Sequence, residues 1–148
     1  MDLKDILSQD CTKCAVQGTS KKRILEVISQ IASQHIADIE QSDILASLLS
    51  REKMGSTGIG NGIALPHGRL AGLDNVLAVL VTCKPSVQFD AIDNKPVDIF
   101  FALLVPEDQA QGHLQTLATI ASKLNDKSIV KSLRKAGGSQ QLFEAITQ

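Results

Sequence analysis

Two segments in the middle of the chain, Val76–Thr82 (VLAVLVT) and Val97–Val105 (VDIFFALLV), are apolar at almost every position. A strand with one face in water alternates apolar and polar residues. These two do not, so they belong in a sheet covered on both faces. Helices must supply the cover, and the flanking sequence has their periodicity. Residues 20–37 place Ile24, Val27, Ile28, Ile31 and Ala32 on one stripe. Residues 42–53 place Ile44, Leu45, Leu48 and Leu49 on another, with Ser42 as the expected N-cap. After Pro106, Leu114, Leu117, Ala118, Ala121 and Leu124 predict a third helix, with Glu107 and Asp108 near its start, where carboxylates suit the helix dipole. Two shorter helices are expected around 129–135 and 140–147, divided by Gly137-Gly138. Only a short irregular loop joins the two apolar strands, too short for a helical crossover, so the sheet is expected to be mixed. The predicted fold class is α/β, a three-layer sandwich with a central mixed β-sheet flanked by helices.

Composition narrows the possible partners. The chain has 148 residues, 43% of them hydrophobic, which fits one domain over 1–148 with a sizeable core. It has no Trp or Tyr and only four Phe, too few for a surface that stacks nucleic-acid bases. A net charge of −1 gives no bulk attraction to nucleic acid or anionic lipid. No apolar run approaches the ~20 residues of a membrane span, and the N-terminus is charged, so a cytoplasmic protein with reduced cysteines is expected. Cys11 and Cys14 have C-x-x-C spacing but lack a second pair, Cys83 standing alone, and read as idle thiols; no metal and no cofactor is expected. Lys21-Lys22-Arg23 crowd a helix start against its dipole, as a solvated face or as the contact of an acidic partner.

Residues 55–68, GSTGIGNGIALPHG, hold five of the ten glycines. Gly55 and Gly60 have the spacing of a Walker A loop, but Asn61-Gly62 stands where Lys-Ser/Thr must be. Gly60 and Gly62 begin a dinucleotide fingerprint, but Leu65 takes the third glycine position, and the run follows a helix rather than a strand. What remains is a loop that delivers one histidine. Pro66 pushes Leu65 into an extended conformation, so Ile63–Pro66 is expected to be a strand or its edge with His67 at its end. Gly68 then permits close approach of backbone or of a partner. Taken by itself, the motif is equally a turn beside a surface histidine.

REKMGSTGIGNGIALPHG (51–68), together with FDAIDNKPVDIFFALLVPED (89–108), resembles the IIA component of the bacterial phosphoenolpyruvate-dependent phosphotransferase system, of the mannitol/fructose type and its nitrogen-regulatory branch. The resemblance extends over nearly the whole chain. It implies an EIIA type-2 domain that accepts a phosphoryl group on His67 from a histidine-containing phosphocarrier protein. It implies Arg51 and His113 as stabilisers of that group. Nitrogen-branch members change regulatory partners with phosphorylation state, which implies targets such as potassium-transport or sensor-kinase components. Two alternatives stay open: a sugar-specific IIA that passes phosphate to a IIB domain, and a non-catalytic protein-binding domain of the same fold. The absence of an appended IIB or membrane domain leans towards regulation.

The chemistry is consistent with those residue types. A neutral imidazole nitrogen is a nucleophile near neutral pH, and if Nε2 attacks, an acceptor must hold the proton on Nδ1. A guanidinium offers a planar fork of donors to phosphoryl oxygens, and transfer between two histidines requires no metal. Ser56 and Thr57 are further candidates for hydroxyl or amide donors to the phosphoryl group. Met54, Ile59 and Ile63 are either an apolar docking surface or core. His35 reads as a surface residue.

Overall fold

In a computed structural model, residues 2–148 are described, apart from the side chains of 110–112. The core is a six-stranded mixed sheet. Its strands are β1 (Thr12–Gln17), β2 (Gly58–Gly60), β3 (Ile63–Ala64), β4 (His67–Leu70), β5 (Leu77–Val87) and β6 (Val97–Pro106). The spatial order is β1-β5-β6-β3-β2, with β4 also on β6. As expected from the short connection, β5 and β6 are antiparallel. β1 runs parallel to β5, and β3 and β4 run parallel to β6. From Val79 to Val81 and from Ile99 to Leu104 every side chain is buried, which is why neither strand alternates.

The described residues form five α-helices: α1 (Lys21–Ser33), α2 (Gln41–Lys53), α3 (Leu114–Lys123), α4 (Lys127–Lys135) and α5 (Ser139–Thr147). α1 packs on β5 and α2, α2 packs on β4, and α5 packs on β1 and α4. Ser20 caps α1, accepting from Arg23 N at 3.1 Å, and Asp126 caps α4, accepting from Ser128 N at 2.9 Å. Ile24, Ile28, Ile31, Ile44 and Leu48 are all buried, as their spacing predicts.

Several local details differ from expectation. Ser42 is not the cap of α2. The helix starts earlier, because Glu40 O accepts from both Asp43 N and Ile44 N, and Ser42 falls in the first turn. Glu107–His113 form a 3-10 helix of their own, so α3 starts only at Leu114 with His113 as its N-cap, and Glu107 and Asp108 belong to the preceding 3-10 helix. His67 opens β4 instead of closing the preceding strand. β3 and β4 keep one register along β6, Ala64 opposite Phe100 and His67 opposite Leu103. Pro66 divides them because it has no N–H to give the ladder, although its carbonyl still accepts from Leu103 N at 2.9 Å. β1 is not visible in the sequence periodicity. It is short, and Ala15, at φ 52, breaks its pairing with β5 between Lys13 and Val16.

Candidate functional site

The site grows out of the end of α2 and the glycine-rich loop that follows. The loop's far end is a hairpin turn: Asn61 (φ 58) and Gly62 (φ 80) join β2 to β3 in the left-handed conformations that a two-residue Asn-Gly turn requires. Gly58 is needed for a different reason. A Cβ there would lie 2.7 Å from Ala91 Cβ, so only glycine lets this loop lie against the 88–96 connection. The chain then returns through Pro66 and presents His67 at the start of β4.

His67 is half-buried and held at both ring nitrogens. Nδ1 is 2.9 Å from Leu65 O, an atom that can only accept, so Nδ1 carries the proton. Nε2 therefore has the free lone pair, and it accepts from Arg51 Nε–H at 3.1 Å. Arg51 Nη1 donates to Gly55 O at 2.8 Å, which fixes the guanidinium against the loop. Burial is the main influence that lowers the His67 pKa below its ordinary value. The Leu65 carbonyl opposes it, the Arg51 charge adds to it, and the Glu52 charge opposes it. The net result favours neutral imidazole, the form with a nucleophilic Nε2.

His67 and Arg51 open into a cleft of about 430 Å³ that also includes Ser47, Ser50, Arg69, Glu107 and His113. His113 lines it from the N-cap of α3, its Nδ1 3.4 Å from Thr116 Oγ1. A helix N-terminus favours anions, and an imidazole there adds a donor. The structure thus brings Arg51, His67 and His113 to one concavity. It places Ser56 and Thr57 elsewhere. Ser56 Oγ donates to Phe89 O at 2.7 Å, and Thr57 is buried with its hydroxyl on Glu52 Oε1 at 2.6 Å; neither lines the cleft.

Met54 is 82% exposed on the cleft rim, whereas Ile63 is core. His35 is exposed and distant in sequence from every cleft residue. Cys11 and Cys83 are buried, and burial pushes the Cys83 thiol up to about 12, the behaviour of an inert core thiol. Among the described residues no group of three or more His, Cys, Asp or Glu is placed to hold a metal ion. Likewise, no helix is long and apolar enough to cross a membrane.

Two features of the site are not marked by the sequence motifs. Arg69, exposed beside His67 in β4, adds a second guanidinium to the cleft. Glu52, only 8% exposed, accepts from Thr57 N at 3.0 Å and pairs with Lys21 Nζ at 2.9 Å. A signal for Glu52 was present: it follows Ile44 and Leu48 at intervals of four, on the buried stripe of α2.

The arrangement has known relatives. Residues 5–148 match the family model described as phosphoenolpyruvate-dependent sugar phosphotransferase system, EIIA 2. The chain is 46% identical over 149 aligned residues to a nitrogen regulatory protein of Klebsiella oxytoca, covering 100% of this chain and 91% of that one. It is 45% identical to the nitrogen regulatory protein of Escherichia coli K12, covering 99% and 90%. The crystal structure of the nitrogen regulatory protein IIA-Ntr from Neisseria meningitidis superposes with a TM-score of 0.90 at 34% identity, over 98% of this chain and 99% of that one. The mannitol IIA of Escherichia coli shares the fold, with a TM-score of 0.72 at 17% identity over 89% and 92% of the two chains. By family model, sequence and fold alike, the chain belongs to the EIIA type-2 family of the phosphoenolpyruvate-dependent phosphotransferase system.

Proposed function

We propose that this phosphoryl carrier holds its phosphoryl group on Nε2 of His67, takes it from a histidine phosphocarrier protein, and acts as a regulator whose partners depend on its phosphorylation state. One observation carries the reading: the His67 ring has Nδ1–H committed to Leu65 O at 2.9 Å and its free Nε2 lone pair under the Arg51 guanidinium at 3.1 Å, in an open cleft. The regulatory side rests on the identity to nitrogen regulatory proteins.

The transfer follows from this arrangement. The Nε2 lone pair attacks phosphorus in line as the donor's P–N bond breaks, and that bond's electron pair returns to the donor nitrogen. No proton has to leave Nε2. The proton stays on Nδ1, hydrogen-bonded to Leu65 O, so the ring gains positive charge as the phosphoryl group arrives. Arg51 Nε–H gives up Nε2 and donates instead to the phosphoryl oxygens, with His113 as a second donor from the same cleft. Such fixed donors stabilise charge where it develops. The exposed side chains of Met54 and Leu114 form an apolar rim on which a donor protein can settle.

The test is incubation with a histidine phosphocarrier protein charged from phosphoenolpyruvate. The chain should gain one acid-labile, base-stable phosphoryl group, and His67→Ala should gain none. Label that persists in His67→Ala would place the acceptor elsewhere. Pull-downs with the phosphorylated and unphosphorylated forms should capture different partners; a IIB domain accepting the label would favour sugar transport over regulation.

A further inference from the structure

We propose that Glu52 is the positioning residue of the phosphoryl site: its buried carboxylate pins Thr57, and the pinned loop holds both the Arg51 guanidinium and the His67 ring in place. The inference rests on the reading of His67 as the phosphoryl acceptor.

Glu52 follows Arg51 in the last turn of α2 but points the other way, into the protein and outside the cleft. A buried carboxylate is destabilising unless its oxygens are paired. Both of these are. Oε1 accepts from Thr57 Oγ1 at 2.6 Å, and Thr57 N donates to Oε2 at 3.0 Å and to Oε1 at 3.2 Å. Lys21 Nζ, from α1, lies 2.9 Å from Oε2. Lys21 is itself steadied by Phe89 O at 3.4 Å, by Asp90 at 3.6 Å and by the Phe89 ring, whose centroid is 4.6 Å away. The cation that seemed misplaced at the start of α1 therefore has a buried partner.

Two routes lead from Thr57 to the reacting atoms. In the first, Thr57 O accepts from Leu65 N at 3.0 Å, and Leu65 O accepts from His67 Nδ1 at 2.9 Å. The carbonyl that sets the His67 tautomer thus belongs to a residue tied to Thr57. In the second, Gly55 O, two residues before Thr57, accepts from Arg51 Nη1 at 2.8 Å. A glycine-rich loop has little intrinsic preference for one conformation. Pinning it at the amide and hydroxyl of one residue fixes both carbonyls. Glu52 makes no hydrogen bond to His67 or to an Arg51 side-chain donor, so it acts through the loop and is not a catalytic residue.

The test uses Glu52→Ala and the isosteric Glu52→Gln in the full chain, with two readouts. Nitrogen-15 shifts of the His67 imidazole report the tautomer without any phosphoryl donor. Transfer from the charged phosphocarrier reports kcat and the donor KM separately. Glu52→Ala should convert the Nδ1–H signature of His67 into a tautomer mixture. It should also lower kcat by roughly 10- to 100-fold, the scale of a misplaced reacting group, with donor KM changed less than twofold. Glu52→Gln, which can still accept from Thr57, should recover part of both. A folded Glu52→Ala protein with the wild-type imidazole signature and kcat within twofold of wild type overturns the proposal. Should Glu52→Ala fail to fold, Glu52→Gln decides: an intermediate imidazole signature supports it, a wild-type one refutes it. Wild type that takes no phosphate, while its imidazole signature still depends on Glu52, refutes the phosphoryl reading and leaves the positioning role standing.

Discussion

Gly68, next to the proposed phosphoryl acceptor His67, offers a direct test of how closely α2 must approach β4. A Cβ added at Gly68 would fall on Ser47 Oγ and lie 3.2 Å from Ser47 Cβ and from its backbone carbon. The backbone at Gly68 is not left-handed, so Gly68→Ala introduces a steric conflict and nothing else. Rotating Ser47 away relieves the Oγ contact but sacrifices its 2.8 Å bond to Arg69 O, worth about 0.5–1.5 kcal/mol. The contact with helix backbone remains, and overpacking of this kind costs about 1–3 kcal/mol. Together these give a destabilisation of about 2–4 kcal/mol, which for a chain of this size lowers Tm by about 5–15 °C. Ser47 is one turn before Arg51, so the helix shift that relieves the clash also displaces the guanidinium from Nε2. Phosphoryl transfer should fall by about tenfold or more. Urea denaturation with unchanged m measures the first effect and transfer from the charged phosphocarrier the second. Ser47→Ala removes the closest atom, so the double variant should recover about 1 kcal/mol relative to the sum of the singles. An unchanged midpoint for Gly68→Ala, or singles that add to within about 0.5 kcal/mol, would refute the reasoning.

Two further predictions concern the site's charge. Because burial, aided by Arg51, lowers the His67 pKa, a nuclear magnetic resonance titration should place its midpoint below the ordinary value of about 6.5; a midpoint at or above that value contradicts the account. The sign for stability follows: below about 6.5 the unfolded chain takes up a proton that the folded chain resists. Stability contributed at neutral pH is therefore lost as pH falls from about 6.5 through the folded pKa, and His67→Gln should flatten that part of the profile. Arg51→Lys keeps the charge but loses the planar fork. It should lower kcat by about 10²–10³-fold with little change in donor KM, whereas Arg51→Met should in addition raise the His67 pKa; a Lys variant at wild-type rate would remove Arg51 from the mechanism.

What could be read from the sequence was whatever depends on local pattern. β5 and β6 announced themselves because a strand buried on both faces has no polar alternation to confuse it with anything else. The helices did so through their stripes, and His67 through the long motif 51–68 that carries the family resemblance, since Pro66-His67-Gly68 alone is equally a turn beside a surface histidine. β1 was hidden because Thr12–Gln17 is short, half-exposed and bulged at Ala15, so its identity as a strand comes from the β5 edge it joins. Ser42 looked like a cap because its residue type suits one. The chain instead enters the helix at Glu40, and the Gln41 side chain reaches Glu26 O on α1, so a contact with a neighbouring helix outweighs the local preference.

Within the site the division between legible and hidden is sharper still. The resemblance implies Arg51, His67 and His113 for the phosphoryl site, and the chemistry of each residue type suits such a role. Ser56 and Thr57 suggested themselves on chemistry alone, yet their hydroxyls are engaged with Phe89 O and Glu52. Hydroxyl chemistry alone does not reveal direction, and for Thr57 the direction goes with the buried pair of Glu52 and Lys21, 31 residues apart in the sequence. Each of those two is in a poor place for a charge: Glu52 at a core position on a helix stripe, and Lys21 at the positive end of a helix dipole. Two misfits of opposite sign are together the signature of a buried pair. Read that way, the glycines of the loop provide the freedom to fold back towards His67, and the Lys21–Glu52–Thr57 link removes that freedom once the fold has formed.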